Sequence, residues 1–214
     1  MSIIIDNAVG RIVEIYNLLI KGIDEKATLN KKRAYGGIIR ANKGKLVEKI
    51  SEIMIETAWM DLAGNMKDLE SNSKKINIPI QNEFLDKIED DELREYCIKN
   101  YYKLSVDKHI FIKNQFVSGM ECKSFTENAM IKRILFDFYL LKTIHPNISC
   151  YLLQLESQLG GDFNECKEIT LGSPSTNTLL SYFPNIDLNI ITLVKGERKV
   201  NKPIHIPEFF KPIE

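Results

Sequence analysis

Charge of one sign is what this chain most plainly lacks. Across 214 residues, 29 Lys and Arg balance 29 Asp and Glu, a formal net charge of zero. That excludes a blanket polycation but leaves room for a locally basic cleft. Cysteine is scarce and unpatterned. Cys97, Cys122, Cys150 and Cys166 form no C-x-x-C pair and no zinc-ligand spacing, so free thiols in a reducing cytoplasm are expected. The three histidines, His109, His145 and His205, show no H-x-H or H-E-x-x-H spacing, and no G-x-S-x-G, Walker loop or G-x-G-x-x-G occurs. No apolar run reaches membrane-spanning length. The start, Met1-Ser2-Ile3-Ile4-Ile5-Asp6, lacks the basic n-region of a signal peptide. A cytoplasmic protein away from membranes is expected.

What is there is ordinary globular composition, 44% hydrophobic and 27% charged, in a chain long enough for one well-formed domain. A helix is predicted over 3–21 from the stripe Ile5, Val9, Ile12, Val13, Tyr16, Leu19 and Ile20. A polar, basic connection follows through Arg40. A second helix over 43–63 buries Leu46, Val47, Ile50, Ile53, Met54 and Ala58. Residues 67–75 read as a loop and 82–103 as helical, with Asp90 or Asp91 capping a second piece. A β-hairpin is predicted over about 107–122. Ser124-Phe125-Thr126-Glu127 then reads as a capping box for a helix burying Met130, Ile131, Ile134, Leu135, Phe138 and Leu141, which Pro146 stops. A strand over 148–155, a loop-rich stretch over 157–177, a short helix over 176–183 and a strand over 188–194 complete the pattern. The order strand, strand, helix, strand implies a mixed sheet with a crossover helix. The fold class is α/β with a helical N-terminal part.

The hairpin carries the chemistry. It runs Val106-Asp107-Lys108-His109-Ile110-Phe111-Ile112 and then Val117-Ser118-Gly119-Met120-Glu121-Cys122-Lys123. Residues i and i+2 of a strand share a face, so Glu121 and Lys123 project together while Cys122 turns to the core. Folding back brings Asp107 near Glu121. Two carboxylates beside an ammonium suit a hard cation such as Mg²⁺ next to a phosphate. Asp/Glu-x-Lys also occurs at Asp24-Glu25-Lys26, Glu165-Cys166-Lys167 and Glu197-Arg198-Lys199. Only the copy at 121–123 ends an apolar strand, has an acid 14 positions upstream at a strand start, and leads into a helix.

These residues resemble the PD-(D/E)xK nuclease superfamily, and especially type II restriction endonucleases, with Val106 in place of the motif's proline. The resemblance covers about 50 residues well, from Asp107 through the following helix and strand. It implies a restriction-endonuclease-like mixed sheet flanked by helices, in one domain over 1–214. Its helical part would span about 1–103 and its catalytic core about 104–195. Asp107 and Glu121 would bind Mg²⁺ together with the main-chain carbonyl of Cys122, and Lys123 would assist the attacking water. The implied substrate is double-stranded DNA, cut at a short specific site by a homodimer, leaving 5′-phosphates, with a cognate DNA methyltransferase as functional partner. A repair or recombination nuclease of the same superfamily is the alternative. A non-catalytic DNA- or protein-binding domain is the alternative of another class.

Further candidates lie outside the hairpin. Glu48 has two readings: the third carboxylate that the superfamily often supplies from an N-terminal helix, or a solvated partner of Lys45 or Lys49 at helical spacing. The acid-free stretch 31–45 holds Lys31, Lys32, Arg33, Tyr35, Arg40, Asn42, Lys43 and Lys45. Its glycines permit close approach, its Arg and Asn suit base edges, and its lysines suit phosphates. Lys132 and Arg133 sit one turn into the helix after the hairpin. They are placed either to touch the DNA backbone or to pair with Asp137.

Overall fold

The computed structural model describes the backbone of residues 3–29, 35–161, 163 and 170–195, and side chains over the same residues except 19–41. Two long helices, α1 (Ile3–Leu29) and α2 (Tyr35–Asp61), pack on one another ahead of the sheet. The strands are β1 (Leu69–Asn72), β2 (Ile76–Ile78), β3 (Tyr102–Leu104), β4 (Lys108–Ile112), β5 (Gln115–Thr126), β6 (Ser149–Ser157) and β7 (Leu188–Thr192). The remaining helices are α3 (Asn82–Leu85), α4 (Asp91–Lys99), α5 (Asn128–Ile144) and α6 (Pro174–Ser181). The main sheet has the order β1-β4-β5-β6-β7. β1, β4 and β5 are antiparallel, and β5, β6 and β7 are parallel. β2 and β3 form a separate two-stranded sheet. The α/β class, the mixed sheet and the helical N-terminal part are as expected from the sequence.

Each face of the sheet has its own core. Ala8, Ile12 and Tyr16 of α1 and Leu46, Val47, Ile50 and Ile53 of α2 pack on Met120 and Cys122 of β5 and Leu153 and Leu155 of β6. On the other face Ile131, Ile134, Leu135, Phe138 and Leu141 of α5 cover Cys150 and Leu152 of β6. Strand alternation makes both cores from the same strands. Gly119 marks a close approach of α5, since a Cβ there would lie 2.8 Å from the fully buried Phe138 ring.

Several expectations need correction. The helices are longer than their apolar stripes: α1 runs to Leu29 and α2 begins at Tyr35, so the basic stretch is helical from Tyr35 onward and not an open loop. Val9 and Ala58 face solvent, while Ala8, Ile55 and Thr57 are buried. Residues 69–72 are an edge strand. Leu-Glu-Ser-Asn has little β pattern of its own and is extended by pairing with β4. The span 82–103 breaks into α3, α4 and β3, and Asp90 caps α4 by accepting from the Leu93 amide. The capping box does not form. Ser124 and Thr126 belong to β5, whose ladder with β6 runs on to Thr126 opposite Ser157, and α5 starts after Glu127 with no side-chain cap.

Candidate active site

The hairpin turns on Lys113 and Asn114, both with positive φ (49° and 66°), the geometry that matches the twist of paired strands. Ile112 faces Gln115 and Phe111 faces Phe116, but Ile110 faces Ser118. Val117 is therefore an extra residue, a bulge that moves the register by one. From there Lys108 pairs with Met120, so Asp107, one step beyond the ladder, falls opposite Glu121. Without the bulge Asp107 would stand opposite Met120, on the α1/α2 face. The bulge thus puts Asp107 on the same face as Glu121 and Lys123.

Contacts follow from that register. One Asp107 carboxylate oxygen, Oδ2, accepts from the Cys122 amide at 2.7 Å and from Lys123 Nζ at 3.0 Å. Lys123 Nζ also donates to Glu121 Oε2. Glu121 is 7% exposed. Burial first, and the Asp107 charge after it, push its pKa up to about 7 against the pull of Lys123. Burial works against the Lys123 ammonium, but Glu121 and Asp107 outweigh it and raise its pKa. Cys122 lies on the opposite face in the apolar core, and burial pushes its thiol up to about 12. It offers the site main-chain atoms only.

The chain is 49% identical over 217 aligned positions to the type II restriction enzyme DdeI of Desulfomicrobium norvegicum, across 98% of this chain and 90% of that enzyme. It belongs to the type II restriction enzymes. No family model and no solved structure matches it.

In this restriction enzyme the other sequence candidates are less gathered. Glu48 is exposed on α2, which packs against the Cys122 face of β5, and no contact links it to Asp107 or Glu121. One turn on, Glu52 accepts from Lys108 at 3.0 Å and from Lys49 at 2.8 Å, pinning α2 to the start of β4. Glu52 and Lys108 lie 56 residues apart, and no local pattern announces the pair. Arg33, with Lys31 and Lys32, lies outside the described residues, as do the side chains of Tyr35 and Arg40. The Glu-x-Lys copies at 165–167 and 197–199 also lie outside them. Asn42 is half-buried and Lys45 exposed on α2. Lys132 is exposed on α5, and Arg133 pairs with Asp137. His109 is fully buried with its ring against Phe116, a packing role.

Lys43 departs from its expected place. It is 8% exposed and ion-pairs with Glu156 of β6 at 3.2 Å, so its ammonium is turned inward and away from a phosphate. Removing one partner of a largely buried pair is costly because the other charge stays desolvated. Lys43→Ala should therefore lower stability by about 2–4 kcal/mol in urea unfolding, with DNA affinity nearly unchanged once the protein is folded. A pure loss of affinity at unchanged stability would restore Lys43 to the DNA surface.

Proposed function

We propose that this restriction enzyme is a Mg²⁺-dependent endonuclease, hydrolysing phosphodiester bonds of double-stranded DNA at a short specific site and leaving 5′-phosphates. The observation that carries the reading is the convergence of Asp107, Glu121 and Lys123 on one face of one hairpin. The donor chemistry fits the cation. Two hard carboxylates meet where burial and mutual repulsion raise Glu121 despite Lys123, so the site favours further positive charge. Among the described residues no cluster of three His, Cys, Asp or Glu side chains forms. The main-chain carbonyl of Cys122 is the proposed third ligand.

When bound, Mg²⁺ would act as a Lewis acid toward the phosphate and lower the pKa of bound water. Asp107 and Glu121 bind and orient. The Cys122 amide fixes the rotamer of Asp107 through Oδ2. Lys123, held as an ammonium between both carboxylates, orients the attacking water and offsets negative charge developing at phosphorus. The enzyme is proposed to act in the cytoplasm as a homodimer on a roughly palindromic site, beside a DNA methyltransferase that protects the same site. No helix among the described residues is long and apolar enough to cross a membrane.

Digestion of assorted plasmids tests this. Discrete fragments are expected with Mg²⁺ and none in EDTA. Ca²⁺ should support binding without cutting, because its looser oxygen shell places the water poorly. Smears or nicks would indicate a nuclease that reads structure instead of sequence, and cutting in EDTA at the Mg²⁺ rate would refute metal dependence.

A further inference from the structure

Asp137 is a buried charge that the mechanism above does not use. It sits on α5 in the row that faces the sheet, immediately before Phe138, whose ring presses on Gly119 of β5. Gly119, Glu121 and Lys123 alternate onto that same face. The Asp137 side chain is 7% exposed, while its partner Arg133, one turn earlier, is 85% exposed. The contact runs from Arg133 Nε to Asp137 Oδ2 at 3.5 Å. That leaves the outer edge of the guanidinium, with its two terminal nitrogens, open to solvent.

As a stabilising device this pair is poor. An ion pair with one fully solvated partner contributes little, and desolvating the carboxylate is a cost. Burial indeed raises Asp137 above the usual carboxylate range despite Arg133, with the Lys123 charge pulling the other way. A guanidinium paired through Nε has its forked outer edge left free, the geometry that suits a phosphate.

We propose that Asp137 is a positioning residue, holding Arg133 so that its outer edge clamps a DNA phosphate beside the bond cut at Lys123. The proposal rests on the nuclease reading above and deepens it. Locking of α5 by Phe138 against Gly119 supplies the rigid base that such a clamp requires.

DNA affinity in Ca²⁺ and its salt dependence, with single-turnover cleavage in Mg²⁺, test the idea. Arg133→Ala should weaken binding on the order of tenfold and reduce the salt slope by about 0.9, one phosphate contact. Asp137→Asn should reproduce much of that loss with all cationic residues still present, and Asp137→Glu should restore part of it. In the double variant the loss should equal that of Arg133→Ala alone, because the two act as one unit. Arg133→Lys, which keeps the charge but not the fork and lies on the surface, should bind as weakly as Asp137→Asn. It carries the test even if Asp137→Asn does not fold. Wild-type affinity and slope in Arg133→Lys, or additive losses in the double variant, overturn the proposal. Lys123→Ala separates the two levels: if it cuts normally, the placement of the active site on the hairpin fails, whereas inactivity there with unchanged Arg133 variants sinks the clamp only.

Discussion

Lys123→Ala is expected to take plasmid cleavage below detection, a loss of at least about 10³-fold, in a protein that still folds. Asp107→Ala and Glu121→Ala should do the same. All three side chains meet at one ammonium on the edge of the α5 face and none of them fills the apolar clusters, so the effect belongs to chemistry and not to packing. Circular dichroism and thermal melts of the variants, beside the cleavage assay, check both halves. Full activity in Glu121→Ala would remove the assignment. An equal loss in Glu165→Ala would mean that another copy of Glu-x-Lys is the working one.

The second large effect concerns pH. Glu121 titrates near 7 in the folded protein against 4.5 ordinarily, so the folded state holds that proton more tightly than the unfolded chain. Its stabilising contribution is complete below about 4.5, declines as pH rises, and is lost above about 7. Glu121→Gln removes the penalty. The metal-free variant should exceed the wild type by roughly 3 kcal/mol at pH 8 and by almost nothing at pH 4. Urea unfolding across that range decides it. A difference that does not change with pH would show that burial is not what raises Glu121. The same variant should be inactive, which makes the stability gain a direct reading of what a buried metal-ready carboxylate costs this fold.

The gathering of the three hairpin side chains was more legible in the sequence than the frame around it. Asp107, Glu121 and Lys123 could be placed together because strand alternation and hairpin reversal are local rules that 17 residues obey by themselves. The crossover from β5 through α5 to β6 was readable for a similar reason: the apolar periodicity of 130–141 and Pro146 mark the helix clearly. What could not be read depends on distant partners. The edge strand 69–72 exists because β4 offers it a ladder. The apparent capping box was consumed because β6 extends β5 to Thr126. Lys43 turned inward because Glu156, 113 residues away, lies within reach. The bulge at Val117 is subtler. The spacing between Asp107 and Glu121 fits only a register that includes it, yet no glycine or proline announces the extra residue.

One consequence of the hairpin concerns how such an enzyme can change. Every proposed reactive side chain comes from a single antiparallel pair closed by a two-residue turn, so assembling it incurs little loop-closure entropy and draws on few distant contacts. Substitutions in distant segments can therefore accumulate while the three side chains keep their places relative to one another, because the hairpin alone sets that arrangement.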